Sequence, residues 1–118
     1  MIYTPFVVDL LLAEMKNKIE AVRKKGTEII IEIIQKADQG WCDTELIPKL
    51  LKSKDEMFYQ NRHKLLTVID QTADHVSAAT LGEYRKVIGM LLFDKIPNIR
   101  LLALKTGYCR KRLLDKML

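Results

Sequence analysis

Three arginines stand at nearly equal intervals in this chain: Arg62 follows Arg23 by 39 positions and precedes Arg100 by 38. Six positions before each stand Asn17, Glu56 and Asp94. One carboxamide and two carboxylates at a fixed offset from three guanidiniums can form a ladder of hydrogen-bonded charge pairs between neighbouring turns. Exposed pairs contribute only about 0–1 kcal/mol each, so the expected role of Asn17, Arg23, Glu56, Arg62, Asp94 and Arg100 is to set register. The other reactive side chains are scattered. His63 and His75 lie 12 positions apart, and Cys42 and Cys109 are isolated, so no set has zinc-ligand spacing. Glu28 and Glu32 share one helical face beside isoleucines and read as solvent-lining rather than as an acid and base. There is no glycine-rich phosphate loop, no GxSxG and no HExxH. No catalytic residue, cofactor or metal is expected, and the chain reads as a non-enzyme.

The segments around the arginines are helical. Thr4-Pro5 is a helix start, with Thr as N-cap and Pro in the first turn. Phe6, Val7, Leu10, Leu11 and Met15 then recur at helical spacing. Asn17 to Glu20 make a turn, and a second helix runs from Ala21 to about Ala37, with Ile29, Ile30, Ile33 and Ile34 inward and Gly40 closing it. Asp43 or Thr44 is expected to cap a third helix carrying Leu46, Ile47, Leu50 and Leu51, ended by the polar run 52–56. The return helix starts near Phe58-Tyr59 and ends near His75. Thr80 and Glu83 have capping-box spacing for a fifth helix through Leu92. Asp94 to Asn98 form the last turn. Pro97 opens the sixth helix, which carries Ile99, Leu102, Ala103, Thr106, Tyr108, Leu113 and Leu114. Gly26 stands in the same column as Ala103, three residues after the arginine, where close helix approach would favour a small side chain.

These elements repeat with a period of about 40, the length of helix-pair repeats of the HEAT kind. The expected fold is all-α: an α-α superhelix of HEAT or armadillo type in three helix pairs, forming one domain over 1–118 with repeats at about 3–39, 41–76 and 79–118. The 118 residues are 48% hydrophobic, enough for a core. No window is long and apolar enough for a membrane span. The N-terminus lacks the pattern of a secretory signal. With two isolated cysteines, this points to a reduced intracellular protein, expected in the cytoplasm, with the nucleus as the other compartment open to it.

Net charge is +5, with the densest basic cluster at Lys105, Arg110, Lys111, Arg112 and Lys116. A solvated helix face is the plainer reading, and nucleic-acid binding through this basic C-terminal helix is the alternative. A stack of three pairs leaves an apolar face at each end, which predicts self-association or a missing neighbour.

Trp41-x5-Ile47-Pro48-Lys49-x-Leu51, followed by Tyr59-x2-Arg62, resembles a HEAT repeat from the C-terminal half of the scaffold (A, regulatory 65 kDa) subunit of protein phosphatase 2A. The Asp94-x4-Ile99-Arg100 turn resembles the repeat that follows it there. The likeness covers about Trp41 to Lys105, and more weakly Tyr3 to Lys36. This chain departs from that pattern at Lys86, Asn61, Asn17 and Glu56, and has fewer repeats. The resemblance implies a non-catalytic scaffold that holds a phosphatase catalytic subunit along its intra-repeat turns. The expected partner-binding residues are Met57, Phe58, Tyr59, Arg62, Lys95, Ile96, Pro97, Asn98 and Arg100. An aromatic beside a methionine in a short turn suits a protein hot spot. Phe58 and Tyr59 tucked under the helix start as a staple is the competing expectation. Trp41 is expected to serve packing before contact.

Overall fold

A computed structural model describes residues 5–110 and Leu113. Thr4, Lys111, Arg112, Leu114, Lys116, Met117 and Leu118 lie outside the described residues, as do the side chains of Phe6 and Cys109, so the expectations placed on them are not met or refuted. Six helices account for the described chain, and no strand occurs among the described residues. They are α1 (Pro5–Met15), α2 (Glu20–Lys36), α3 (39–55), α4 (Tyr59–Thr72, extended by a 3₁₀ turn, Ala73–His75), α5 (Ala78–Leu91) and α6 (Pro97–Cys109). None is long and apolar enough to cross a membrane.

The helices fall into three consecutive hairpins, at 5–36, 39–75 and 78–109. Within them, α1 packs on α2, the end of α3 on the start of α4, and α5 on α6. Between them, α2 packs on α4 and α4 on α6. The shortest extent, 19 Å, is about two helix diameters. Ile30, Leu46, Leu50, Leu65, Ile69 and Ile88 are among the fully buried core residues. Tyr84 is also fully buried, and its hydroxyl lies 2.8 Å from Thr72 Oγ1. Thr72 donates its own proton to the Val68 carbonyl, so Tyr84 must be the donor to Thr72. Burial pushes the Tyr84 phenol well above its ordinary value.

The structure corrects three helix boundaries. Gly40 does not close α2, which ends at Lys36 with Ala37 as C-cap; it lies in the first turn of α3. That helix is capped by Asp38, whose carboxylate accepts from the Trp41 N–H at 2.9 Å, so Asp43 and Thr44 fall inside it. They sit in a wider π turn, Cys42–Leu46. In a regular helix the ring of Pro48 would collide with the Thr44 carbonyl, and the π turn just before it relieves that conflict. The cap of α5 is Ser77, whose Oγ accepts from the Thr80 N–H at 3.2 Å. Thr80 is buried one turn in and donates instead to Asp43 at 2.6 Å, tying α5 to α3. The last helix also differs: Tyr108 is exposed rather than packed inward.

The small-residue column is explained at Gly26. A Cβ there would stand 3.0 Å from the Met15 backbone nitrogen and 3.1 Å from the Glu14 carbonyl carbon. Backbone cannot retreat as a side chain can, so α1 and α2 approach at a distance that only glycine permits without adjustment.

Candidate protein-binding edge

Each hairpin turns at the same place relative to its arginine, and the three turns share one backbone geometry. The N-cap residues Ile19, Phe58 and Ile96 lie four positions before Arg23, Arg62 and Arg100, with φ/ψ of −87/123°, −81/122° and −91/118°. None has a side-chain cap. The arginine holds the turn from the other side. Arg23 Nη1 donates to the Asn17 carbonyl at 2.9 Å, Arg62 Nη1 to that of Glu56 at 2.6 Å, and Arg100 Nη1 to that of Asp94 at 2.7 Å. Carbonyls at the end of a helix have no partner within it, and the cation satisfies them. The six-residue offset seen in the sequence is therefore the span of one guanidinium-to-carbonyl clasp.

The expected ladder between turns forms in part. Arg62 donates through Nε and Nη2 to the two oxygens of Asp94 at 2.5 and 3.0 Å, and both side chains are 7% exposed. Asp94 Oδ1 also accepts from the Ile96 N–H at 2.9 Å. Burial would raise the Asp94 carboxyl, but the Arg62 and Ile96 hydrogen bonds and the charges of Arg62 and Lys95 hold it below its ordinary value. Arg23 does not reach Glu56. It pairs with Glu20 in its own hairpin, and its buried Nε has no hydrogen-bond partner among the described residues. Glu56 instead accepts from Lys16. Asn17 uses its side-chain oxygen on the Ile19 N–H at 2.9 Å. These cross-links set the three turns side by side along one edge.

That edge exposes large apolar side chains among its charged ones. Met57 is 82% exposed and Phe58 67%, so neither is tucked beneath the helix, and Tyr59 is also exposed. Lys95, Pro97, Asn98 and Arg100 are exposed, and Ile96 is half-buried against the core. Arg62 is buried, so of the expected contact residues it is the one that positions the turn instead of facing a partner. Ile19 and Phe93, which the sequence reading passed over, are exposed at 61% and 89%. The signal for Ile19 was available, since it occupies the register position of Phe58 and Ile96. Trp41 stands apart from this edge, half-buried against the core.

The remaining reactive groups are not brought together. The buried Cys42 thiol is pushed up to about 11 by burial and by the nearby Asp43 and Asp38 charges, so it is held protonated. Glu28 and Glu32 both face solvent, the latter paired with Lys36. Among the described residues no three His, Cys, Asp or Glu side chains are grouped to hold a metal ion. In the basic C-terminal cluster, Arg110 is engaged with Asp70 at 2.9 and 3.2 Å, while Lys105 is exposed. No known protein family, curated protein or solved structure matches the chain.

Proposed function

We propose that this chain is a non-catalytic scaffold module of the HEAT type, its helix pairs stacked as a short α-α superhelix, that grips a protein partner along its turn edge. The observation that carries this reading is the exposure of Met57 and Phe58 on a turn whose backbone is clasped by Arg62. Large apolar side chains on a rigid turn lose little conformational freedom on binding, which is how hot spots gain affinity. The partner proposed is the catalytic subunit of a serine/threonine phosphatase, in keeping with the resemblance of Trp41 to Arg62 and of Asp94 to Arg100 to that scaffold family. Tyr59, Lys95, Ile96, Pro97, Asn98 and Arg100 extend the contact from the second turn to the third.

The test is a pull-down and titration calorimetry with purified phosphatase catalytic subunit. The expected result is binding that weakens at least about tenfold in Phe58→Ala, the loss usual for an aromatic hot spot. No association at tens of micromolar, or binding indifferent to Phe58 and Met57, sinks the reading.

A further inference from the structure

The two ends of the helix row are unlike, and they match each other. Lys64 of α4 donates to Glu20 of α2, while Asp70 of α4 accepts from Arg110 at the end of α6. These bonds fix the two sides of α4. By helical spacing Asn61 and Val68 lie with Lys64 on the side toward α2, and Leu66 lies with Asp70 on the side toward α6. All three of Asn61, Val68 and Leu66 are buried.

Aligned on the three arginines, the α2-facing positions Asn61 and Val68 become Ile99 and Thr106 in α6, also buried, and Val22 and Ile29 in α2. In α2 no described helix pair covers that side. Val22 and Ile29 stay half-exposed and, with Leu11, Ala21, Glu14 and Lys25, line an open apolar groove of about 300 Å³. The opposite side ends the same way. Leu66 corresponds to Thr27, buried, and to Leu104, which is 50% exposed. Asp70 corresponds to Tyr108, which is 68% exposed, and beside them stands Leu101, 64% exposed, at the position of His63, which is exposed in α4 as well. Leu104 and Tyr108, flanked by Leu101, thus form an apolar ridge on α6, on the face that α4 uses to receive the next pair.

We infer that the occupant of this ridge is the α1–α2 groove of a second copy of the chain, so that copies join head to tail. Both halves of the contact lie on one molecule, in the register that already joins its own hairpins. The polar clasp is prepared as well. Within the molecule Arg62 meets Asp94, whose Oδ1 also takes the Ile96 N–H at 2.9 Å. Across the joint the exposed Arg100 meets Asn17, whose Oδ1 likewise takes the Ile19 N–H at 2.9 Å. Such an interface is heterologous, and unless the rotation closes a ring it propagates without a fixed end. This inference stands on exposure and register, and does not depend on the phosphatase proposal.

Sedimentation velocity on the full chain across the micromolar range tests it. The expected weight-average mass rises with concentration past a dimer. Leu104→Glu blocks the ridge and Val22→Glu blocks the groove, so each alone sediments as a monomer. Mixed in equal amounts they form a dimer and nothing larger, because one free ridge and one free groove remain. Asn17→Asp gives Arg100 a charged acceptor and moves association to about fivefold lower concentration. A parent chain that stays monomeric overturns the inference. So does a Val22→Glu chain that still dimerises through its ridge, or a mixture that stays monomeric.

Discussion

Arg62 and Arg23 occupy equivalent places in neighbouring hairpins, and the junctions they serve are made differently. At the second junction the Arg62 guanidinium bridges its own turn and the next, through the Glu56 carbonyl and both oxygens of a buried Asp94. Asp70 and Arg110 close the same junction farther along. At the first junction Arg23 clasps its own turn alone, and the links across are three lysine pairs, Lys16 with Glu56, Lys64 with Glu20 and Lys49 with Asp9, with one bond from the Gln35 side chain to the Gln71 carbonyl. Lysine offers a mobile point charge, arginine a planar fork that fixes direction. Exposed lysine pairs hold position weakly and are screened by salt. The lesson is that similar hairpins can be joined by a stiff seam or a soft one, depending on whether a short carboxylate lies within reach of the clasping arginine.

The largest test of that contrast removes the two arginines in turn. Arg62→Ala leaves a buried carboxylate unpaired and two turn carbonyls without their donor, a loss expected at about 3 kcal/mol. Arg23→Ala likewise takes the donor from two turn carbonyls, those of Asn17 and Lys18, but breaks only an exposed pair with Glu20, at about 1 kcal/mol. Urea denaturation of both variants measures the difference. Equal losses would erase the distinction between the seams.

Packing at the first hairpin gives the next effect. Gly26→Ala pushes a methyl group toward the backbone of α1 and should cost about 2 kcal/mol, in the range for overpacked cores. At Gly89, where a Cβ meets nothing within 4 Å, the same change should stabilise by up to about 1 kcal/mol. Thermal melts of the pair give opposite signs if α1 and α2 touch as described. A neutral Gly26→Ala would mean that the hairpin opens easily.

Acid should dissolve the stiff seam selectively. The Asp94 carboxyl lies below its ordinary value of 3.8 when folded. A depressed carboxyl binds its proton less readily folded than unfolded, so its stabilising effect is present above the ordinary value and disappears as pH falls through the folded one. Stability measured across that window should fall less steeply in Asp94→Asn than in the parent. Parallel curves would show that the Arg62 pair adds nothing to acid sensitivity.

Much of this arrangement was legible in the sequence. The arginine spacing and the helical periodicity of Ile30, Ile33, Leu65 and Leu66 give the hairpins and their core. Pro97 marks a helix start because a proline nitrogen needs no partner there. What stayed hidden depends on partners distant in the chain. Thr80 looks like a cap by local spacing, yet Ser77 caps and Thr80 turns to Asp43, 37 positions away. Gly40 looks like a terminator because glycine often closes a helix, but its φ is not positive and Asp38 restarts the chain at once. The π turn before Pro48 has no local signature beyond the proline itself. At the edge, the exposure of Phe58 could not be told from a staple, since both place an aromatic at the same position. Charge spacing showed which residues could form a ladder, but not that Glu56 would be taken by Lys16.

That last difference yields the smallest and most specific prediction. Glu56 and Asp94 stand at the same offset, and one methylene separates them. Asp94 folds back onto the Ile96 N–H and presents both oxygens to Arg62, whereas the longer Glu56 reaches past the turn to Lys16. The buried Nε of Arg23 is left without an acceptor among the described residues. Glu56→Asp places a carboxylate at the length that serves Arg62, within reach of the Phe58 N–H and of that nitrogen. It gives up the Lys16 pair, worth under about 1 kcal/mol, and gains a charge-assisted bond at a buried donor, for a net stabilisation of about 0.5 kcal/mol. A double-mutant cycle with Arg23→Met reads the coupling directly: near zero in the parent, and favourable with Asp at position 56. If the coupling stays near zero, carboxylate length is not what separates the two seams, and the cause must lie in the spacing of the hairpins themselves.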